Sequence, residues 1–201
     1  MRKKCPEKKI MILGAGGHAI ACIDVLESEK KYKIFGLIGG VGEVGKRVSG
    51  YRVIGTDLNI PSLLRYCTNL LVGVGQIKTP EIRRRLYQQG AFLGCNFPTV
   101  ISPLAYISSN SNIGKGTIVM HGSIVQAGVT VGENCILNSR CLIEHGAKIG
   151  NHSHISTGVI VNGDVEVGEG SFVGSGAVLQ EGVRLRNNSV VPMGKIIRRQ
   201  R

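Results

Sequence analysis

The sequence predicts a small α/β domain followed by a parallel β-helix, on three observations. Sixteen uninterrupted hexads run from residue 101 to residue 196, each opening on an aliphatic residue. Short apolar runs alternate with amphipathic segments through the first 94 residues. After the first apolar run stands a glycine-rich turn, Gly14-Ala15-Gly16-Gly17-His18-Ala19. Alternating strands and helices imply a parallel sheet, and a short period sustained over so many repeats is the sequence signature of a solenoid.

Residues 9–13 read as the first strand and residues 19–29 as the first helix, with the glycine turn between them. A second strand is expected over 32–38, followed by a loop carrying Gly39, Gly40, Gly42 and Gly45. A short strand near 52–54, a helix around 62–66, a strand over 69–74 and a helix over 79–89 complete the unit. Residues 95–99 form the junction, so the domains are expected at 1–94 and 95–201.

In the hexads the first position is always Ile, Leu or Val. The fifth is small in all but the last, where Lys195 stands, and the fourth is Gly, Asn or Asp in thirteen of sixteen. Strand side chains alternate faces, so positions five and one point inward while six and two point outward. Positions three and four then make the corner, where residues that tolerate positive φ are favoured. Three faces close a coil of eighteen residues, which gives about five coils; Ile113-Gly114, Val131-Gly132, Ile149-Gly150 and Val167-Gly168 recur at that spacing.

The chain carries 25 Lys and Arg against 13 Asp and Glu, a net charge of +12. The first 94 residues hold sixteen against seven (+9) and the remainder nine against six (+3). A basic excess favours anionic ligands. With no Trp and no nucleic-acid motif, phosphorylated small molecules fit better than DNA or RNA. The six cysteines show no CxxC or metal spacing, and Cys135 and Cys141 fall on small inward positions, so free thiols and no metal are expected. The basic segment 1–9 lacks an apolar signal core, and no apolar run is long enough to span a bilayer. A soluble cytoplasmic protein without a membrane partner is the expectation.

Gly14, Gly16 and Ala19 match the G-x-G-x-x-G/A turn that offers backbone N–H groups and a helix N-terminus to phosphate. A dinucleotide fold would add an acidic residue at the end of the second strand, where this chain has Gly39-Gly40, which argues against NAD. The bland reading of the turn is helix capping; the basic surroundings favour anion binding. Of the five histidines, His18 sits in the turn, His121 and His145 occupy corners, and His152 and His154 share one hexad. His121 and His145 are four hexads apart, hence on different corners. His152, on a turn, is expected to be a solvated surface group.

The glycine turn with His18, the hexapeptide β-helix, the segment Asn138-Ser139-Arg140-Cys141-Leu142-Ile143-Glu144-His145 and the segment Ile149-Gly150-Asn151-His152-Ser153-His154-Ile155 together resemble the NeuD/PglD family of bacterial sugar acetyltransferases over nearly the whole chain. The resemblance implies a left-handed β-helix and acetyl transfer from acetyl-CoA to a sugar, in a homotrimer with active sites between neighbouring β-helices. It implies His145 as general base; Glu144, an outward-pointing second-position residue, is the candidate substitute for the acid that usually follows it. His154, Gly163, Gly174 and Ser175 are then at the acetyl-CoA site, and Gly14, Gly16, Gly17 and His18 at the nucleotide-sugar. The sugar is expected to be a UDP-4-amino-sugar, with sialic acid O-acetylation as the rival. The chain departs from the family at Gly146, where an acid usually follows the histidine, at Gly39-Gly40 in place of an Asp pair, and at Pro192-Met193-Gly194 near the end. A γ-type carbonic anhydrase and a non-catalytic scaffold are the alternatives from other classes.

Overall fold

A computed structural model describes residues 8–199. In chain order the first unit comprises β1 (Lys9–Leu13), α1 (Gly17–Glu29), β2 (Lys33–Ile38), β3 (Arg47–Val48), β4 (Tyr51–Gly55), α2 (Ile60–Leu63), β5 (Leu70–Val72) and α3 (Glu81–Phe92). The sheet order is β3-β4-β2-β1-β5. β1 is parallel to both β2 and β5, and β4 is parallel to β2. β1 lies inside the sheet between β2 and β5, and four of its five residues are buried, as the unbroken run Ile10-Met11-Ile12-Leu13 requires of a strand covered on both faces.

The sequence reading misses β3. It pairs antiparallel with β4 through Val48 and Tyr51, and the two residues between, Ser49 and Gly50, both have positive φ (45° and 84°). That is the backbone of a tight two-residue hairpin turn, for which Ser-Gly was the available signal. The helix expected around 62–66 forms earlier, at Ile60–Leu63, started by Pro61 in its first turn.

From Val100 to Ile197 the chain winds through strands of two residues each, stacked in three parallel sheets of six, five and six strands. First-position residues such as Val119, Leu137, Ile155 and Val173 are fully buried, together with fifth-position residues such as Val129, Cys141, Ala147 and Val165. Each fully enclosed aliphatic side chain contributes on the order of 1.5–3 kcal/mol. The last strand, Ile196–Ile197, carries the coil one residue beyond the sixteen hexads, in spite of Lys195 at the small position. Position four is left-handed from Gly116 to Gly194, including two residues that depart from the glycine-like pattern, Arg140 (φ 57°) and His152 (φ 56°).

The α/β unit covers one face of the prism. Val100, Ile118, Met120 and Ile136 share an apolar cluster with Ile10, Ile12, Ala19 and Ile23. A polar layer flanks it. The Arg83 guanidinium, 1% exposed, donates to the carbonyls of Val72 and Val74 and to Asn134, at 2.6–3.1 Å. Tyr87 donates to Glu133 (2.7 Å), Arg84 pairs with Glu169 (3.0 Å) and Gln76 donates to the Gly170 carbonyl (3.1 Å).

On the neighbouring corner Ser102 donates to His121 Nδ1 (2.6 Å) and His121 Nε2 donates to Asp24 (2.8 Å). Ser, His and Asp in a row suggest a nucleophilic triad, but Ser102 is 1% exposed and its oxygen also accepts the Leu104 N–H. The three residues clasp α1 to the first coils.

Candidate active site

β1 is where the sheet order reverses, with β2 on one side and β5 on the other, and ligands of parallel sheets bind outside the carboxyl ends of the strands at such a point. The glycine turn occupies that place. Gly14 has φ 127°, and a β-carbon there would lie 2.9 Å from Val74 Cγ2 and 3.0 Å from the Gly73 carbonyl carbon, so only glycine fits. Gly16 caps α1, whose first turn has no acidic side chain, leaving the positive end of the helix dipole uncompensated. A β-carbon on Gly16 or Gly17 would meet nothing within 4 Å. The backbone is thus open on the side from which an anion would come. A cavity of about 610 Å³ lies against it, lined by Gly14, Gly16, Gly39, Gly40, Glu43 and Leu58 among others.

His18 turns the other way, toward the domain junction. Its Nε2 is buried without a hydrogen-bond partner, and burial, the Arg83 charge and His154 depress its pKa to about 3. Among the described residues His18 therefore faces the β-helix.

His145 is exposed on the corner it shares with Gly163, Glu181 and Arg199, one coil apart each. Its ring lies on Gly163: a β-carbon there would fall 2.7 Å from Cε1 and 2.9 Å from Nε2. Gly146, which replaces the usual acid, has φ 69°, and a side chain on it would collide with the Asp164 carboxylate of the next coil. The Asp164 backbone N–H donates to the His145 carbonyl (3.0 Å), so an acid does stand beside this corner, one coil on. Asp164 also lines a cavity of about 470 Å³ with Gln180, Glu181, Gly182, Arg184 and Arg199. Glu144 is half-buried and makes no hydrogen bond to the imidazole.

His154 belongs to the covered face and is 7% exposed. Its Nδ1 donates to the Gln76 carbonyl (2.6 Å), which fixes the tautomer and leaves Nε2 to accept from Asn138 Nδ2 (3.2 Å). Burial lowers its pKa to about 4 against the opposing pull of the Gln76 carbonyl. Ser175 Oγ is 2.9 Å from Ser156 Oγ. A β-carbon on Gly174 would lie 2.5 Å from the Met193 nitrogen, so this glycine is demanded by coil stacking. His152, expected at the surface, is buried: it accepts from Asn134 Nδ2 (3.0 Å) and meets the Tyr87 ring edge-on at 5.6 Å. The cause is α3, which docks on that corner.

The polar contacts of the α/β unit run to the corners bearing His121 and Glu133 and to the face between them. The His145 corner receives none of them. Within one chain, the glycine turn and His145 are therefore on different sides of the prism. Among the described residues five cysteines are free and no group of three or more His, Cys, Asp or Glu could hold a metal ion. No described helix is long and apolar enough to cross a membrane.

Residues 9–89 match the PglD N-terminal domain. Residues 110–145 and 146–181 match the bacterial transferase hexapeptide of six repeats, and residues 164–199 the hexapeptide repeat of succinyl-transferase. Among solved structures, a histidine-to-asparagine variant of perosamine N-acetyltransferase from Caulobacter crescentus, in complex with CoA and GDP-perosamine, is 26% identical, with 95% of this chain and 89% of that chain covered and a TM-score of 0.90. The acetyltransferase domain of PglB from Neisseria gonorrhoeae FA1090, in complex with acetyl coenzyme A, is 27% identical over 94% of this chain and 95% of that one, with a TM-score of 0.81. WeeI from Acinetobacter baumannii AYE, at 18% identity, covers 94% and 95% with a TM-score of 0.75 and shares the fold. No curated protein matches in sequence. The repeat domain is thereby the left-handed parallel β-helix of hexapeptide transferases.

Proposed function

We propose that this chain, which belongs to the PglD/NeuD family of hexapeptide-repeat sugar acetyltransferases, moves the acetyl group of acetyl-CoA onto the amino group of a nucleotide-linked amino sugar, most specifically a UDP-4-amino-sugar of the bacillosamine or legionaminic acid type. The observation that carries this reading is the pairing of an open phosphate-suited turn, Gly14 to Gly17, with an exposed imidazole, His145, held on Gly163. In this mechanism the sugar amine attacks the thioester carbonyl. His145 in its neutral form takes the ammonium proton, the carbon–sulfur bond breaks, and CoA leaves as the thiol once protonated.

Because the turn and His145 lie on different sides of one prism, the complete site is formed by two copies: the α/β unit of one subunit and the His145 corner of the next. A homotrimer satisfies this for every subunit with one repeated interface. The shared site also accounts for the exposure of His145. Gly146 favours a second reading, a binding protein that has lost its base-orienting acid. Acetyl-CoA consumption measured in parallel with UDP-4-amino-sugars, a GDP-linked amino sugar and sialic acid tests the assignment. Turnover is expected with the UDP-4-amino-sugars. Turnover with sialic acid alone would move the reaction to O-acetylation, and acetyl-CoA binding with no turnover on any sugar would support the binding protein.

A further inference from the structure

β2 ends in two glycines where a ribose-binding acid would be expected, yet the structure fills that place from another element. Residues Val41–Glu43 form a single turn of 3₁₀ helix directly after Gly40, and the Glu43 carboxylate folds back to accept the Gly40 N–H at 2.6 Å. A β-carbon on Gly39 would lie 2.7 Å from the same Glu43 oxygen and 3.3 Å from Ala15 Cβ in the glycine turn. The volume that a side chain on residue 39 would occupy is the volume the Glu43 carboxylate takes, beside the phosphate-suited backbone.

Glu43 is half-buried and lines the 610 Å³ cavity. On the rim of that cavity stand Val41 and Leu58, 85% and 87% exposed. Two bare aliphatic side chains at the mouth of the pocket suit the flat face of a heterocyclic base. The carboxylate between them and the turn is an acceptor for hydroxyl groups. One oxygen is engaged by Gly40; the second is directed at no described donor.

We infer that Glu43 is the nucleoside-recognising residue of this pocket: its carboxylate accepts the ribose hydroxyls of a nucleoside diphosphate whose phosphates lie on the Gly14–Gly17 turn. This rests on the nucleotide-sugar reading of the turn given above. Glu43 does the work that an acid at the end of β2 does in dinucleotide-binding folds, and its presence removes the argument that no such acid exists here. It also explains why residue 39 is glycine.

Titration calorimetry of the full-length protein with UDP, GDP, their 2′-deoxy and 3′-deoxy analogues and NAD tests this. Wild type should bind UDP or GDP, and its affinity should fall at least about tenfold when the contacted hydroxyl is removed, the lower end of what a hydrogen bond to a charged group is worth. Glu43→Gln keeps an acceptor for the Gly40 N–H and so keeps the turn. It should lose about tenfold for the ribonucleotide and little for the deoxy analogue; Glu43→Ala should lose the discrimination entirely. Equal affinity of wild type and both variants for UDP and GDP would overturn the role of Glu43 and leave the nucleotide reading standing. Absence of binding to every nucleotide would overturn both, and preferential binding of NAD would overturn the substrate class.

Discussion

Alanine at Gly163 moves the proposed base without touching its chemistry. A β-carbon there would stand 2.7 Å from Cε1 and 2.9 Å from Nε2 of His145, whereas non-bonded carbon atoms settle at about 3.5–4.0 Å. The ring must therefore retreat by about 1 Å. Gly163 does not have positive φ, so alanine brings no backbone strain, and the exposed imidazole has solvent to move into. A displacement of about 1 Å from the productive geometry costs on the order of 10²-fold in rate. Gly163→Ala is expected to lower kcat by about that factor, with the unfolding temperature within a few degrees of wild type. Because both changes act through one group, Gly163→Ala with His145→Ala should be no slower than His145→Ala alone. An unchanged kcat in Gly163→Ala, or further loss in the double variant, would refute the reasoning. A raised KM for acetyl-CoA at unchanged kcat would instead identify Gly163 as a cosubstrate contact.

Arg83→Met should destabilise the fold by on the order of 3–5 kcal/mol, since the carbonyls of Val72, Val74 and Asn134 lose their donor in the interior; denaturant titration showing less than about 1 kcal/mol would contradict this. His154, with its pKa depressed to about 4 by burial, is neutral in the fold and takes up a proton readily once unfolded. Its contribution is complete above about pH 6.5 and is lost as pH falls toward 4, at up to about 1.4 kcal/mol per pH unit. Unfolding temperature followed between pH 7.5 and 4.5 should fall less steeply in His154→Gln. A β-carbon on Gly16 would meet nothing within 4 Å, so Gly16→Val should fold normally and raise KM for the nucleotide-sugar at least about tenfold while sparing acetyl-CoA; the reverse pattern would place acetyl-CoA on the turn.

The β-helix was legible because its chemistry repeats. Each coil needs an aliphatic residue, a small residue and a left-handed corner at fixed intervals, and the departures are single positions such as Lys195, just before the strand Ile196–Ile197. The glycine turn was legible because Gly14 has no alternative. The domain junction was not. Its bonds join residues with no periodic relation, Arg83 to Asn134 and Gln76 to Gly170, so nothing in the local sequence of His152 announces that α3 buries it. Glu43 escaped for a related reason: the acid was sought at the end of β2, and a single 3₁₀ turn returns one from three residues further on.

The claim that the site is built from two subunits is tested most directly by mixing two impaired variants. In the proposed homotrimer, co-expressed His145→Ala and Gly16→Val chains assort at random. A site is whole when a chain with an intact turn faces a chain with an intact His145, which at equal amounts is a chance of about one in four. At a nucleotide-sugar concentration well below KM, the account predicts recovery of about a quarter of wild-type acetyl-CoA turnover on mixing, from two preparations that are each at or below about a tenth of wild type. No recovery in a mixed trimer, or full activity in a wild-type monomer identified by light scattering, would contradict it.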